Sequence, residues 1–333
     1  MKKKMIGFIL LVIILLAAYL IYAVVKIRFT PSVVMPRQEP ASRGDTRQFY
    51  RHVEHMSVRI GSRSVYEYSK LEETKRYIVS CLENFGYTPE LQKVTYDGQV
   101  FNNVTASIKG KSSPDETVVI GAHYDTVFGA PGADDNASAV AVLLEMSRIL
   151  KSFPPGRTIK LVFFVLEEPP VFRTEHMGSY VYAKDAKAKN ENIKAMICLE
   201  MLGYYADKKG GQTFPLPLMG LMYSSTPDFI AVVGNLQSRS LVERVKNTLK
   251  RNQGIPVESL STVGFVPGVD FSDHWSFWKM GYPAVMITDT AFYRNPNYHT
   301  EKDTIDTLDF NRMTELLNGL EQVAKDLSTT SSQ

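Results

Sequence analysis

Apolar and polar residues along this chain fall into three regimes. Residues 5–25 are almost continuously apolar and follow Lys2, Lys3 and Lys4. At about 1.5 Å of helix rise per residue, such a run is about long enough for a bilayer core. Residues 29–44 are rich in proline and polar side chains and read as a linker. From residue 45 onward the pattern is that of a folded domain. Helical apolar spacing predicts helices over 45–56 and 69–85, with Gly86 placed to end the second. β-Branched and aromatic runs predict strands over 88–96, 104–108, 118–120, 158–166, 195–199, 229–233 and 284–288. Further helices are predicted over 137–150, 238–251 and 310–327. This alternation specifies an α/β fold with a mixed, largely parallel central sheet sandwiched by helices.

The 333 residues therefore divide into residues 1–28 as an N-terminal signal anchor, 29–44 as linker and 45–333 as one catalytic-sized domain. A secretory apolar region is usually shorter than residues 5–25, and no clear A-x-A cleavage site follows. An uncleaved single-pass anchor in the lipid bilayer is the reading, with a cleaved signal peptide as the alternative. The lysine cluster keeps the N-terminus cytoplasmic and directs the rest of the chain outside the cytoplasm.

The formal charge of +3 is misleading, because five of the 38 basic residues lie in the first 28 positions, which hold no acid. The remaining 33 basic residues face 35 acidic ones, a net charge of −2. No basic footprint for nucleic acid exists. Only Cys81 and Cys198 are present, which excludes a disulfide framework. One bridge between them is open, but both sit in apolar segments where buried free thiols are common.

Against this background five residues of metal-ligating type recur in separate segments: His123, Asp135, Glu168, Glu200 and His299. Zinc takes imidazole nitrogen and carboxylate oxygen. Five such ligands serve two zinc ions if one carboxylate bridges, leaving open positions for hydrolytic chemistry. His123 follows one predicted strand, Glu167 and Glu168 end another, and Glu200 ends a third. Ligands collect at the carboxyl ends of strands in open α/β sheets. In His123-Tyr124-Asp125, alternation puts the imidazole and the Asp125 carboxylate on one side, where the acid orients the ring. Asp134 and Asp135 open a helix, so helix capping competes with metal binding for either one. Glu167 and Glu168 close the apolar run FFVL, an unfavourable place for two anions without a compensating cation. Their carboxylates point in opposite directions, so one can bind metal while the other faces substrate.

The segments GAHYDT (121–126), PGADDNASA (131–139), LVFFVLEE (161–168), CLEMLGY (198–204) and NYHTEKDT (297–304) resemble the zinc-dependent exopeptidase family of di-zinc aminopeptidases. Its relatives include glutamate carboxypeptidases and single-zinc glutaminyl cyclases. The resemblance runs from about residue 45 to 327. It implies that His123, Asp135 and Glu200 hold one zinc and that Asp135, Glu168 and His299 hold the other, with Asp135 bridging. It further implies Glu167 as general base and acid, Tyr298 as a donor to the oxyanion, and a strained or cis peptide after the bridging residue. The implied substrate is a peptide with a free N-terminus.

Two departures bear on this. The fourth ligand is aspartate in well-studied family aminopeptidases and Glu200 here, with Asp207 as its fallback. Where many members have a glycine-rich turn after the glutamate pair, this chain reads PPVFRTEHMGS. Pro169 and Pro170 stiffen that loop at the pocket border. Residues 204–227 are expected to form a lip over the pocket. Of the other histidines, His52 and His55 are expected on a helix surface and His176 in a structural role. His274 follows Ser272 and Asp273, a pair that resembles a helix cap, and S-D-H segments recur near the site in the family. The competing functions are carboxypeptidase action, which needs a basic recess such as Arg173 or Arg294 could supply, glutaminyl cyclisation, and a non-catalytic domain that has lost ligands or base.

Overall fold

The computed structural model describes residues 45–330 apart from Phe265. The expected anchor at 5–25 and linker at 29–44 lie outside the described residues. Among the described residues no helix is long and apolar enough to cross a membrane.

Eight strands form one sheet in the order β1-β2-β4-β3-β5-β8-β6-β7. They are β1 (Glu90–Tyr96), β2 (Gln99–Ile108), β3 (Ser113–His123), β4 (Arg157–Phe164), β5 (Asn192–Glu200), β6 (Ile230–Asn235), β7 (Val257–Thr262) and β8 (Ala284–Thr288). The central strands β4, β3, β5 and β8 are mutually parallel, so their carboxyl ends lie along one edge. β1, β2 and β6 introduce antiparallel pairs toward the flanks. The mixed, largely parallel sheet is the architecture expected from the hydrophobic pattern.

Helices cover both faces. One face receives α1 (Thr46–Val53), α2 (Tyr68–Asn84), α3 (Ala139–Leu150), α5 (Arg239–Asn252) and α7 (Phe310–Ser328), and the other α4 (Gly178–Ala188) and α6 (His274–Lys279). β3 illustrates how one strand serves both cores. Val118, Ile120 and Ala122 enter the larger cluster and Val119 the smaller, as period-2 alternation dictates. α3 is buried nearly all round, from Ala139 through Ser147 and at Leu150. Truncating one of its buried leucines, such as Leu143, would cost about 2–5 kcal/mol.

The hydrophobic pattern does not single out α4, α6 or β7, and β7 is a half-buried edge strand of mixed polarity. α1 runs on into a π-helical stretch, Glu54–Ile60. It buries Phe49, His52, Val53 and Met56, at i, i+3, i+4 and i+7. His52 is thus not a surface residue. Its Nδ1 lies 2.7 Å from the Tyr77 hydroxyl, and its Nε2 lies 3.4 Å from Glu145. His55 stacks on the same tyrosine ring. Cys81 and Cys198 are both free thiols.

Candidate active site

The parallel strands deliver the site side chains to one edge of the sheet. His123 is the last residue of β3 and Glu200 the last of β5, while Glu167 and Glu168 follow β4. Asp135 lies in the irregular turn before α3 and His299 in the segment after β8. Gly132 starts that turn with φ of +59°, and a Cβ there would meet Asp135 O at 2.4 Å. Only glycine fits both demands. The Asp135–Asn136 peptide is cis, as the family resemblance implies.

The five residues of metal-ligating type converge. His123 Nε2 lies 3.4 Å from both Asp135 Oδ1 and Glu200 Oε2, and His299 Nε2 lies 3.2 Å from Asp135 Oδ2 and 3.3 Å from Glu168 Oε2. Asp135 therefore offers one oxygen to each imidazole. Two ligand atoms about 2.1 Å from a tetrahedral ion sit about 3.4 Å apart, so these separations fit zinc. Asp135 Oδ1 and Glu168 Oε1 are buried without hydrogen-bond partners, an expensive arrangement unless a cation completes it. The donor set, nitrogen and carboxylate oxygen only, is also one that zinc accepts. Asp207, the fallback for Glu200, is exposed and pairs with Arg312, away from the cluster.

Glu167 Oε2 is 3.9 Å from His123 Nε2, and it also lies within reach of a third grouping with His123 and Glu168. Asp125 braces the glutamate pair from behind. Its two oxygens accept the backbone N–H groups of Glu167 at 3.1 Å and Glu168 at 3.0 Å, and Oδ1 faces His123 Nδ1 at 3.4 Å. Tyr298 stacks on His299 with ring centroids 3.7 Å apart. Asp135, Glu167, Glu168, Glu200, Tyr298 and His299 line a cavity of about 680 Å³, counting its open mouth, bordered by Pro169, Phe172, Phe271 and Phe292.

Without a cation the cluster is electrostatically crowded. Burial raises Glu167 well above the carboxylate range, and Glu168 and Glu200 add to this while His123 opposes it. Burial together with the Asp135 charge pushes Glu168 up to about 7. Burial works against the His299 imidazolium, yet hydrogen bonds to Asp135 and Glu168 raise it to about 10. These three shifts have the sign expected of anions gathered where positive charge is in demand, while Asp135, although buried, is held below the usual range by His123 and His299.

Several contributors could not be read from sequence. Asp303 accepts the N–H groups of Asp134 at 2.9 Å and Asp135 at 3.1 Å, fixing the Asp135 backbone from four residues beyond His299. Asp134 does not cap α3. It accepts Gly203 N at 2.9 Å and Asn295 Nδ2 at 2.8 Å, which ties the β5 exit to the segment carrying His299. Ser272 Oγ donates to Glu200 Oε2 at 2.5 Å. Arg63 is fully buried and donates to the carbonyls of Tyr124, Met56, Gly61, Pro131 and Gly132, stapling the His123 and Asp135 loops together. The apparent cap at Asp273 makes no capping bond. His274 is buried, bonded to Val269 O at 2.8 Å, and stays out of the cluster. His176 is exposed and meets Thr95 O.

A largely parallel α/β sandwich with a buried imidazole and carboxylate cluster at its strand ends defines the class, a hydrolase of the metallopeptidase kind. The chain belongs to peptidase family M28, whose model matches residues 103–323. It is 37% identical over 330 residues to the Uncharacterized protein YfbL of Escherichia coli (strain K12), covering 96% of this chain and 98% of that one. It is 29% identical over 225 residues to Leucine aminopeptidase 1 of Ajellomyces dermatitidis, covering 63% of this chain. The chain spans about half the length of that relative, 52%. Among solved structures, the zinc aminopeptidase BSAP from Bacillus subtilis matches with a TM-score of 0.67 at 15% identity, covering 87% of this chain and 96% of that one. A glutaminyl cyclase from Bacteroides thetaiotaomicron matches with a TM-score of 0.63 at 19% identity, covering 85% and 98%. At these identities the likeness establishes the fold.

Proposed function

We propose that this protein is a di-zinc aminopeptidase that removes N-terminal residues from peptides. The observation that carries the reading is the pair of three-residue groups, His123–Asp135–Glu200 and Asp135–Glu168–His299, which share Asp135. These are the residues that would hold two ions. When bound, zinc supplies the positive charge that acidifies a water, polarises a carbonyl and draws the surrounding carboxylates toward their ionised forms.

The chain's own groups divide the remaining work. Glu167, held through its backbone by Asp125, takes the proton released as water attacks the peptide carbonyl and passes it to the leaving amine. Tyr298 lines the cavity beside His299, and burial together with the Asp135 charge raises its phenol far above the usual range. It therefore keeps its proton and donates to the developing oxyanion, a role worth about 3 kcal/mol when well aimed. The carboxylates of Glu167, Glu168 and Glu200 border the cavity and favour a substrate α-ammonium there.

Carboxypeptidase action has less support. The residues bordering the cavity, among those described, include no lysine or arginine. Arg294 is buried against Phe229 O and Gln212, and Arg173 pairs with Asp270. The glutaminyl cyclase reading uses a single zinc, whereas these residues offer ligands for two. Metal analysis of the purified protein, with hydrolysis of free-amine and N-blocked peptides, tests the choice. Two zinc equivalents with cleavage of free-amine substrates alone are expected. One ion, or activity restricted to blocked peptides, would overturn the reading.

From sequence we further propose that residues 5–25 anchor the enzyme in the bilayer with the catalytic domain outside the cytoplasm. Added protease should then digest that domain in spheroplasts, and its protection would refute export.

A further inference from the structure

Beside the cluster a second recess of about 810 Å³, counting its mouth, shares Glu200, Phe271, Phe292 and Tyr298 with the active-site cavity. The segment at 212–223 contributes Phe214, Met219 and Tyr223 to its lining. The sheet forms its floor. Strand register aligns four residues in one row across β5, β8, β6 and β7: Glu200 opposite Thr288, Thr288 opposite Ala231, and Ala231 opposite Glu258. Cys198, Met286 and Ala231 belong to the smaller core, and residues two apart share a face, so the row turns toward the recess. All four residues line it. Three strand spacings of about 4.8 Å separate the Glu200 and Glu258 backbones by roughly 14 Å.

The row thus joins a candidate zinc ligand at one end to a second carboxylate at the other, with apolar and aromatic walls between. Glu258 is half-buried, and its carboxylate makes neither a hydrogen bond nor a salt bridge among the described residues. Burial penalises its charge, with Lys250 and Lys246 compensating from α5 and Asp228 adding to the penalty. A carboxylate at the end of an apolar channel is costly unless the occupant brings a cation. Apolar walls in turn suit a long methylene stem with a charged tip, and aromatic faces favour a cation near them.

We propose that this recess takes the side chain of the substrate's N-terminal residue and that Glu258 selects a long cationic one, lysine or arginine. The inference rests on the aminopeptidase reading and adds the substrate class. A leucine or methionine side chain would satisfy the walls but give the Glu258 carboxylate no partner inside the recess.

The test compares kcat/KM for lysyl, arginyl, leucyl and methionyl reporters on the wild type and Glu258→Gln, alongside calorimetric binding of L-lysinol and L-leucinol. Lysyl and arginyl reporters should exceed leucyl by tenfold or more. Glu258→Gln should lose at least tenfold on the basic reporters while leucyl turnover, which also reports folding, changes less than threefold. Equal losses on both classes, or a leucyl preference in the wild type, would overturn the proposal. Failure of the aminopeptidase reading is separable, because then no free-amine reporter is turned over. Binding decides in that case. A lysinol preference lost in Glu258→Gln supports the recess assignment, and its absence overturns it.

Discussion

Replacing Glu167 with glutamine separates proton transfer from metal binding. Glutamine preserves the side-chain volume and leaves untouched the backbone N–H that Asp125 accepts at 3.1 Å. It removes a carboxylate that burial, Glu168 and Glu200 all hold above its usual range. A positioned general base and acid contributes about 10²- to 10⁴-fold, which is about 2.7–5.4 kcal/mol of transition-state stabilisation. Loss of kcat on this scale is expected, with KM changed only a few-fold. The two groups sharing Asp135 do not include Glu167, so zinc content should remain at two equivalents. The metal-free variant should also melt above the metal-free wild type, because a carboxyl group whose ionisation burial penalises has gone. Stopped-flow or steady-state kinetics, elemental analysis and differential scanning calorimetry read the three effects. Retained turnover would remove Glu167 from the proton-transfer role. Loss of one zinc would instead make it a ligand through the third grouping, with His123 and Glu168.

Three other perturbations follow from the same geometry. His299→Ala should release one zinc equivalent and keep the other, as measured by elemental analysis; unchanged zinc would remove His299 from the ligand set. Burial lowers His274 to about 4, whereas an unfolded histidine titrates near 6.5, so the unfolded chain binds the proton more readily between these values. Stability is therefore full above about pH 6.5 and falls as pH drops toward 4, by about 3 kcal/mol from this group. A His274→Gln variant should show a shallower fall of Tm across that window, and an identical slope would refute the account. Arg63→Met strands five carbonyls that the guanidinium satisfies. Breaking such a buried charged network costs about 3–5 kcal/mol, or a Tm lower by roughly 10 °C for a domain this large. A change under about 3 °C would mean that Arg63 is not needed to hold the loops together.

Much of the candidate site was legible because metal chemistry restricts residue type and the sheet restricts placement. His123, Glu167, Glu168 and Glu200 each follow an apolar β-run, a signal that survives without knowledge of the fold. The groups that hold them in place left no such mark. Asp303 acts through backbone N–H groups far away in sequence, and Arg63 sits in the polar run GSRS, where nothing announces burial. His52 was readable in principle, since Phe49, His52, Val53 and Met56 share helical spacing. Residue type suggested surface, while position specified core. β7, with sequence VESLST, alternates too weakly to stand out as a strand. Its pairing with β6 supplies what its own pattern lacks.

The cluster draws on β3, β4, β5 and the segment beyond β8, so its members come from widely separated parts of the chain. No fragment ending before residue 299 contains both complete groups. Coordination by the full set can form only after the last central strand has docked, which makes any bound metal a late arrival in folding rather than its nucleus. Such an ion would oppose unfolding more than it hastens folding. Chelation should therefore shorten the lifetime of the native state while leaving its rate of formation nearly the same.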